Sequence, residues 1–369
     1  MTTSTKKKKG AAAFNINLNF EFGGVNLTQK ALFSKNLAMM IKSGITISES
    51  LSIIEESLTG KFKKAIINIR HAIESGGALS TAMALYPKIF PSLYINTVYA
   101  GESSGTLQEN LEYMAEQMRK EKELNSKIMG AMLYPAVVLV AAFFLGLAIS
   151  FVVLPKVVPL FEGLGVKLPW STQLLIAFSK VMQDHGIVIV IGLLIFIALF
   201  IWFVRREFSR PVTHWFLLHI PIIYPLVRST NIARFCRTLG TLLKSGLTID
   251  EALIVTKDSI GNYYYRKALD DVAARVGSGM KLSDSLKAHK DVFPTLVSRM
   301  MNVGEQSGGF EDVLFYLASF YEEEVDNGTK TIATAVEPLL LIFIGSFVGF
   351  MAISIITPIY NITGNVGGK

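Results

Sequence analysis

The sequence predicts an all-helical membrane protein with two duplicated cytoplasmic helical bundles and three transmembrane helices. Its 369 residues are 51% hydrophobic and only 18% charged, with a mean hydropathy of +0.42. Soluble domains usually carry roughly 25% charged residues, so this composition favours a membrane protein with polar domains. Two further observations complete the prediction. Three long stretches lack charge, and the chain repeats itself at a spacing of 202 to 203 residues.

Three apolar stretches are long enough to cross a bilayer. A membrane-spanning helix needs roughly 20 apolar residues, because about 30 Å of hydrocarbon is crossed at about 1.5 Å per residue. We predict these helices at residues 132–155, 186–204 and 334–359. The four lysines near the N-terminus are followed by asparagines rather than by an apolar core, so no secretory signal is predicted.

The basic residues predict the orientation in the membrane. Residues 1–131 hold 16 Lys and Arg, residues 155–186 hold 3, residues 205–333 hold 16 and the tail holds 1. Because positive flanks stay in the cytoplasm, we expect residues 28–131 and 205–333 inside the cell, with a cytoplasmic N-terminus. Loop 156–185 and tail 360–369 then lie outside. The net charge of +7 reflects this topology, and no nucleic-acid partner is predicted.

The chain contains an internal duplication. Residues 33–60 match residues 235–262 at 10 of 28 positions, and after one inserted residue the offset becomes 203. Matched landmarks continue to the membrane, among them the Phe-Pro pairs at 90–91 and 293–294 and the prolines Pro135 and Pro338. A register held over more than a hundred residues indicates two copies of one unit. The unpaired middle span would return the chain to the cytoplasm.

Each cytoplasmic unit is predicted to be helical. Thr46 and Thr248 each begin a Thr-Ile-x-Glu capping box, in which side chains at both ends satisfy free backbone N–H groups. Gly44 and Gly246 precede them and suit a left-handed helix end. Thr106 begins a third capping pattern. We expect first-unit helices near 28–43, 47–59, 61–75, 79–86, 90–101 and 106–131, with equivalents in the second unit.

The first 27 residues form a basic, strand-like tail. Apolar residues alternate with asparagines between positions 15 and 22. This alternation is compatible with a flexible tail or with an edge strand that docks on a partner.

No catalytic, metal or cofactor motif is found in the sequence. A phosphate-binding GxxxxGK[ST] loop and an HExxH metal motif are both missing. The most suggestive carboxylates are Glu102 and Glu305, each in a Gly-Glu-x-Ser-Gly sequence ending at Gly105 or Gly308. Each precedes a turn that starts a helix, so capping of that helix is the favoured interpretation. Contact with a partner or a cation is the alternative.

Small residues are spaced four apart inside two of the spans. Ala142 and Gly146 in the first span match Gly345 and Gly349 in the third. Such pairs let helices approach closely, either within the chain or between protomers.

Together these motifs resemble the type II secretion F family, which includes the PilC-like proteins of type IV pili. The resemblance rests on the repeated KSG-[IL]-T-I-x-E-x-L pattern, the following S-G-x-x-L-S, the Phe-Pro pair, and G-E-x-S-G before a long helix. It covers residues 28–360. It implies an inner-membrane platform with six-helix cytoplasmic domains that engage a hexameric ATPase and pilin-like subunits.

The resulting functional prediction is a non-enzymatic assembly platform that forms a homo-oligomer. Expected partners are the ATPase, pilins or pseudopilins, and other inner-membrane assembly proteins. Candidate motor contacts are exposed basic residues of the bundles: Lys61, Lys63, Lys64, Arg70 and the charged stretch 119–123. A small-molecule or lipid transporter is the alternative, although charge-free span centres count against it. A membrane-bound enzyme lacks a site.

Overall fold

The computed structural model of the chain describes residues 25–153, 155–156, 159, 170–204, 206–221 and 223–366. Every regular element within these ranges is a helix, which confirms the all-helical prediction for this part of the chain. The strand-like stretch at positions 15–22 lies outside the described residues.

The first six helices comprise five short helices followed by one that continues into an apolar segment. They are α1 (Leu27–Lys42), α2 (Ile47–Ser57), α3 (Gly60–Glu74), α4 (Leu79–Ala84), α5 (Ser92–Ser104) and α6 (Leu107–Ala148). A π-helical turn, Ile149–Val153, follows α6. Residues 27–131 are called the first unit below.

Eight α-helices follow among the described residues, with a short 3₁₀ helix, Glu207–Ser209, between the first two. They are α7 (Trp170–Val204), α8 (Arg210–His219), α9 (Tyr224–Lys244), α10 (Ile249–Ser259), α11 (Tyr263–Gly277), α12 (Leu282–Lys287), α13 (Thr295–Ser307) and α14 (Phe310–Val366). Residues 224–333 are called the second unit below.

The helix bounds follow the spacing of the sequence repeat. Helix α2 begins at residue 47 and α10 at residue 249, an offset of 202. Helix α3 begins at 60 and α11 at 263, an offset of 203, and the same offset relates α4 to α12, α5 to α13 and α6 to α14. The packed pairs also correspond, since α1 lies against α6 and α9 lies against α14.

Each unit has an aromatic core, and three of its ring positions match between the units. In the first unit neighbouring ring centroids lie 5.0 to 6.2 Å apart among Phe33, Phe62, Phe90 and Tyr94. In the second unit the distances are 5.1 and 5.7 Å among Phe235, Tyr265 and Phe293. All seven side chains are buried, so these rings are the centre of each hydrophobic core.

The ends of α1 and α9 are both closed by glycine. Gly44 has a φ of +82° and Gly246 a φ of +92°, in the left-handed region that glycine adopts without strain. The next residue then donates its N–H back into the helix, from Ile45 to Met40 O (3.0 Å) and from Leu247 to Leu242 O (3.2 Å). This bond pattern is the Schellman motif and sets the entry to α2 and α10.

Two described helices, α6 and α7, are long and apolar enough to cross a membrane. The apolar stretch found on α14, Leu341–Ser354, is shorter than a membrane span requires, so the third transmembrane helix stays a prediction. Helix α7 begins at Trp170, which corrects the expected loop at 156–185. Residues 170–185 are helical because their apolar side pairs with α14: the Thr172 hydroxyl donates to Ser354 O (2.8 Å), and Ile176 is buried.

Candidate functional site

The glutamate of the first Gly-Glu-x-Ser-Gly sequence holds the start of α4. Glu102 lies in the last turn of α5, and its carboxylate accepts hydrogen bonds from the backbone N–H of Leu79 and of Ser80 (3.0 Å for Ser80). The Ser80 hydroxyl donates to the same carboxylate. Because the first N–H groups of a helix lack partners inside it, a carboxylate placed there caps the helix and complements its dipole.

The second unit repeats this arrangement at α12. The Glu305 carboxylate accepts from the backbone N–H of Ser283 (3.1 Å) and from the Ser283 hydroxyl. The sequence predicted a cap on the helix after each glutamate, and that detail is wrong. Helical side chains tilt toward the N-terminus of their own helix, so Glu102 and Glu305 are directed away from α6 and α14.

The turn after each glutamate is tight. Gly105 and Gly308 end α5 and α13 with φ of +75° and +72°. A Cβ added to Gly101 would lie 2.8 Å from Leu107 Cα, so α5 and α6 are in backbone contact there. Thr106 makes no side-chain cap for α6, contrary to the predicted capping pattern, and its hydroxyl instead lies 2.7 Å from the Ser104 hydroxyl.

Polar side chains of α6 join the two units. Asn110 is 1% exposed, and its amide donates to Ser245 O (3.2 Å) at the end of α9 and to Thr97 O (3.1 Å). Two turns further along the same face of α6, the Gln117 side chain lies between the hydroxyls of Thr238 (3.5 Å) and Thr241 (3.4 Å).

Charged groups extend this junction toward the membrane. Arg234 pairs with Glu121 (2.8 Å), and Lys127 of α6 pairs with Asp326 of α14 (3.3 Å). Within the junction itself, between Asn110 and Gln117, the Lys244 ammonium lies 4.8 Å from the centre of the Tyr113 ring. The sequence did not identify this junction. The one available signal was the seven-residue spacing of Asn110 and Gln117, which places two amides on one helical face.

The proposed motor-contact lysines lie on the outer face of α3. Lys61 and Lys64 are exposed and Lys63 is half-buried, while the opposite face of α3 packs into the core. None of the three forms an ion pair with a described residue.

The other basic candidates are already engaged within the chain. Arg70 pairs with Glu55 (3.1 Å) and Glu74 (2.7 Å), and Arg119 pairs with Glu116 (2.6 Å) and Glu123. Within the charged stretch 119–123, Lys120 and Glu121 also face the junction. These residues are therefore less available to a partner than the α3 lysines.

The environment shifts several pKa values. Hydrogen bonds from Arg70 lower the pKa of Glu74, and those from Lys330 and Lys127 lower the pKa of Asp326. Burial raises the pKa of the Cys236 thiol far above its usual range. Cys236 is thus a buried core residue that stays protonated, as expected for an unreactive cysteine.

The two small residues of α6 border an apolar groove between α6, α7 and α14. The groove measures about 390 Å³ and includes Ala142 and Gly146 of α6 together with Phe178 and Phe347. A Cβ added at Gly146, Gly345 or Gly349 would meet no atom within 4 Å. Close packing through these residues, within the chain or between protomers, therefore stays a prediction.

No group of three or more His, Cys, Asp and Glu residues is placed to hold a metal ion in the part of the chain that the structure describes. The polar clusters found there cap helices and join units.

Comparison with known proteins agrees with this architecture. The family model for type II secretion system (T2SS) protein F matches the chain twice, at residues 33–155 and 235–358. A type IV pilus assembly protein PilC from Thermus thermophilus is 35% identical over 347 residues, 93% of this chain and 84% of its own length.

Two further relatives come from both kinds of machinery. A PilC protein from Myxococcus xanthus is 32% identical over 350 residues, 94% of this chain and 83% of its own length. A type II secretion system protein F from Aeromonas hydrophila is 30% identical over 347 residues, 93% of this chain and 88% of its own length. The chain belongs to the type II secretion system protein F family.

Proposed function

We propose that this chain is a multi-pass inner-membrane platform for the assembly of type IV pilus or type II secretion fibres. The observation that carries the proposal is the double match of the family model, together with relatives named for both machineries that align over more than nine-tenths of the chain. The proposed role is non-enzymatic: the chain would hold and couple other proteins.

The proposed topology has three spans, with the repeated units as cytoplasmic bundles and the N-terminus inside the cell. Two contacts support a parallel course for α6 and α14, since Lys120 lies near Glu322 (3.8 Å) and Lys127 near Asp326 (3.3 Å). Parallel helices need a return helix between them, which α7 would supply. Its inner end carries Arg206, whose guanidinium lies 4.4 Å from the centre of the Trp202 ring.

Thiol labelling tests this topology. In a chain with Cys236 replaced by serine, an impermeant reagent added to spheroplasts should label Gln173→Cys and leave Ser103→Cys unlabelled. Both positions are exposed, so accessibility within the fold does not decide the result. Labelling only at position 103 would contradict the proposed orientation.

The partners in this role would be a cytoplasmic hexameric ATPase, pilins or pseudopilins, and other inner-membrane assembly proteins. Lys61, Lys63 and Lys64, which form no ion pair with a described residue, are the proposed contact with the motor. Surface substitutions there should cost about 0.5 kcal/mol of stability or less each, so a loss of binding would report on the contact.

Charge reversal tests the motor contact in the full-length protein. Replacing the three α3 lysines with glutamate should weaken co-purification of the ATPase and reduce fibre assembly, while membrane insertion is unchanged. A matched control reverses three exposed lysines of the second unit: Lys281, Lys287 and Lys290. Equal losses in both variants, or none in either, would refute the proposed contact. Normal fibre assembly in cells that lack the chain would refute the platform role itself.

A further inference from the structure

The junction between the two units is one-sided. Helices α9 and α10 of the second unit contact α6 and α5 of the first unit. Among the described residues, α1 and α2 make no comparable contact with α13 and α14, although these are the corresponding helices. A two-fold arrangement would form both contacts. The chain therefore forms a head-to-tail contact once, and leaves one matching face unused on each unit.

The unused face of the first unit is apolar and open to solvent. Leu32 and Met39 on α1 are 58% and 59% exposed. They correspond, at the offset of 202, to the junction residues Arg234 and Thr241. On α2, Ile53 is 44% exposed, whereas its counterpart in the second unit is buried.

The unused face of the second unit shows the same pattern. On α14, Tyr316 and Phe320 are 59% and 37% exposed, and they correspond at the offset of 203 to the junction residues Tyr113 and Gln117. On α13, Leu296 is 42% exposed, whereas its counterpart Leu93 is 6% exposed in the first unit. Large apolar side chains that are clustered and exposed indicate a surface that contacts another molecule.

The two unused faces complement each other position by position. Inside the chain Gln117 meets Thr241, a polar pair; their counterparts, Phe320 and Met39, are both apolar. Aromatic rings and thioether sulfurs make favourable contacts, so Phe320 and Met39 are suited to pack against each other.

At a second pair of positions, a lysine and a tyrosine occur both in the internal junction and on the unused faces. Inside the chain Lys244 lies over Tyr113, and the counterparts Lys42 and Tyr316 are both exposed. The same cation–π contact is therefore available between the unused faces. Lys35 on α1 and the exposed acids Glu323 and Glu324 on α14 add opposite charges.

We propose that a second copy of this chain docks head-to-tail, with the α1–α2 face of one copy on the α13–α14 face of the next. The internal junction between the units is the template for this contact. Since α6 and α14 run parallel, the same operation keeps the apolar helices of both copies in one bilayer. The inference rests on the repeat and on exposure, so it stands independently of the platform role.

Cross-linking of mixed chains tests the pairing directly. In a background with Cys236 replaced by serine, Met39→Cys and Phe320→Cys are placed on separate copies of the chain that are expressed together in the same membrane. A short bis-maleimide added to the co-expressed pair should give dimers, while each variant alone should give at least tenfold less. Equal dimer yield from Met39→Cys alone would indicate a two-fold contact and overturn the proposal. The absence of dimers from the mixture would also overturn it.

Charge substitution provides a second measurement that does not depend on cross-linking. Met39→Glu and Phe320→Glu should each lower the oligomeric fraction of the detergent-solubilised protein at least tenfold by native mass spectrometry. Combining Met39→Lys with Phe320→Glu should restore association. The matched control is Leu85→Glu, which alters a side chain that is 73% exposed elsewhere on the first unit. An oligomer that resists both face substitutions, or that Leu85→Glu disrupts equally, would contradict the proposed interface.

Discussion

The two units share the glycines that end their helices and the glutamates that cap them, but their cores hold buried polar groups at different positions. In the first unit the Tyr94 hydroxyl lies 2.7 Å from the Ser34 hydroxyl, and both residues are buried. The counterparts in the second unit are Val297 and Cys236, which form no such bond. There the buried hydroxyl belongs to Tyr265, which donates to Val292 O (3.0 Å).

This difference shows which features the fold requires. A buried polar group can move within the core as long as it finds a partner, because an unsatisfied donor or acceptor costs free energy wherever it lies. The glutamate caps and the left-handed glycines have not moved, because they satisfy or shape the main chain itself. The comparison therefore predicts that substitutions near the main chain have larger effects than those of core hydroxyls.

The largest expected effect distinguishes two matched glycines. Gly101→Ala would place a Cβ 2.8 Å from Leu107 Cα, and neither backbone can yield, so we expect a loss of about 2–3 kcal/mol in the first unit. At Gly304 the nearest atom, Phe310 Cα, lies 3.4 Å away. Gly304→Ala should be close to neutral, because the better helix propensity of alanine offsets the contact.

Hydrogen–deuterium exchange of the full-length protein measures both glycine variants, because peptides from each unit report local unfolding separately. Gly101→Ala should speed exchange in α5 and the start of α6 only. Equal effects of the two variants would show that the turns are equally tight in solution.

The next effect concerns the glutamate caps. Glu102→Gln removes the charge from a carboxylate that accepts from two backbone N–H groups and one hydroxyl, whereas Glu305 accepts from one N–H and one hydroxyl. We expect a loss of about 2 kcal/mol for Glu102→Gln and a smaller loss for Glu305→Gln. Denaturant unfolding followed by exchange in α4 and α12 checks this order. A larger loss at Glu305 would contradict it.

The sequence predicted the helices well because their boundaries depend on local chemistry. Capping threonines, helix-ending glycines and the repeat itself set the bounds of α1 to α5 within about three residues. The internal duplication was informative because each signal occurred twice.

The sites were predicted less well because they depend on distant contacts. The partner of Glu102 lies 22 residues earlier, on a helix that no local signal associates with it. The junction is more remote, since Asn110 and Ser245 are 135 residues apart in the chain. Likewise the sequence of the charged stretch 119–123 is typical of a solvent-exposed helix. In the structure, α9 covers one side of it.

A smaller effect is expected from the core hydroxyls. Tyr94→Phe should cost about 1 kcal/mol, because it leaves the buried Ser34 hydroxyl with only its bond to Lys30 O. Adding Ser34→Ala should cost little more, so the double-mutant cycle should show coupling. Tyr265→Phe should affect only the second unit, and Phe62 at the matching position shows that the ring alone fits there. Additive losses at Tyr94 and Ser34 would argue against the hydroxyl pair.

The smallest expected effect concerns a buried lysine that the second unit lacks. Lys30 on α1 is 8% exposed, while its counterpart Ile232 is fully buried. Burial lowers the pKa of Lys30, so the charged form destabilises the folded state near neutral pH. Lys30→Met should therefore raise the free energy of unfolding at pH 7 by less than about 1 kcal/mol.

The effect of Lys30 should depend on pH. Its pKa in the folded state lies below the unfolded-state value of about 10.4, so between these two pKa values the unfolded chain binds more protons than the folded chain. The wild type therefore gains stability as the pH rises through this range. The advantage of Lys30→Met should consequently shrink between pH 7 and pH 10 in denaturant titrations. An advantage of Lys30→Met that is independent of pH would mean that methionine acts through packing alone.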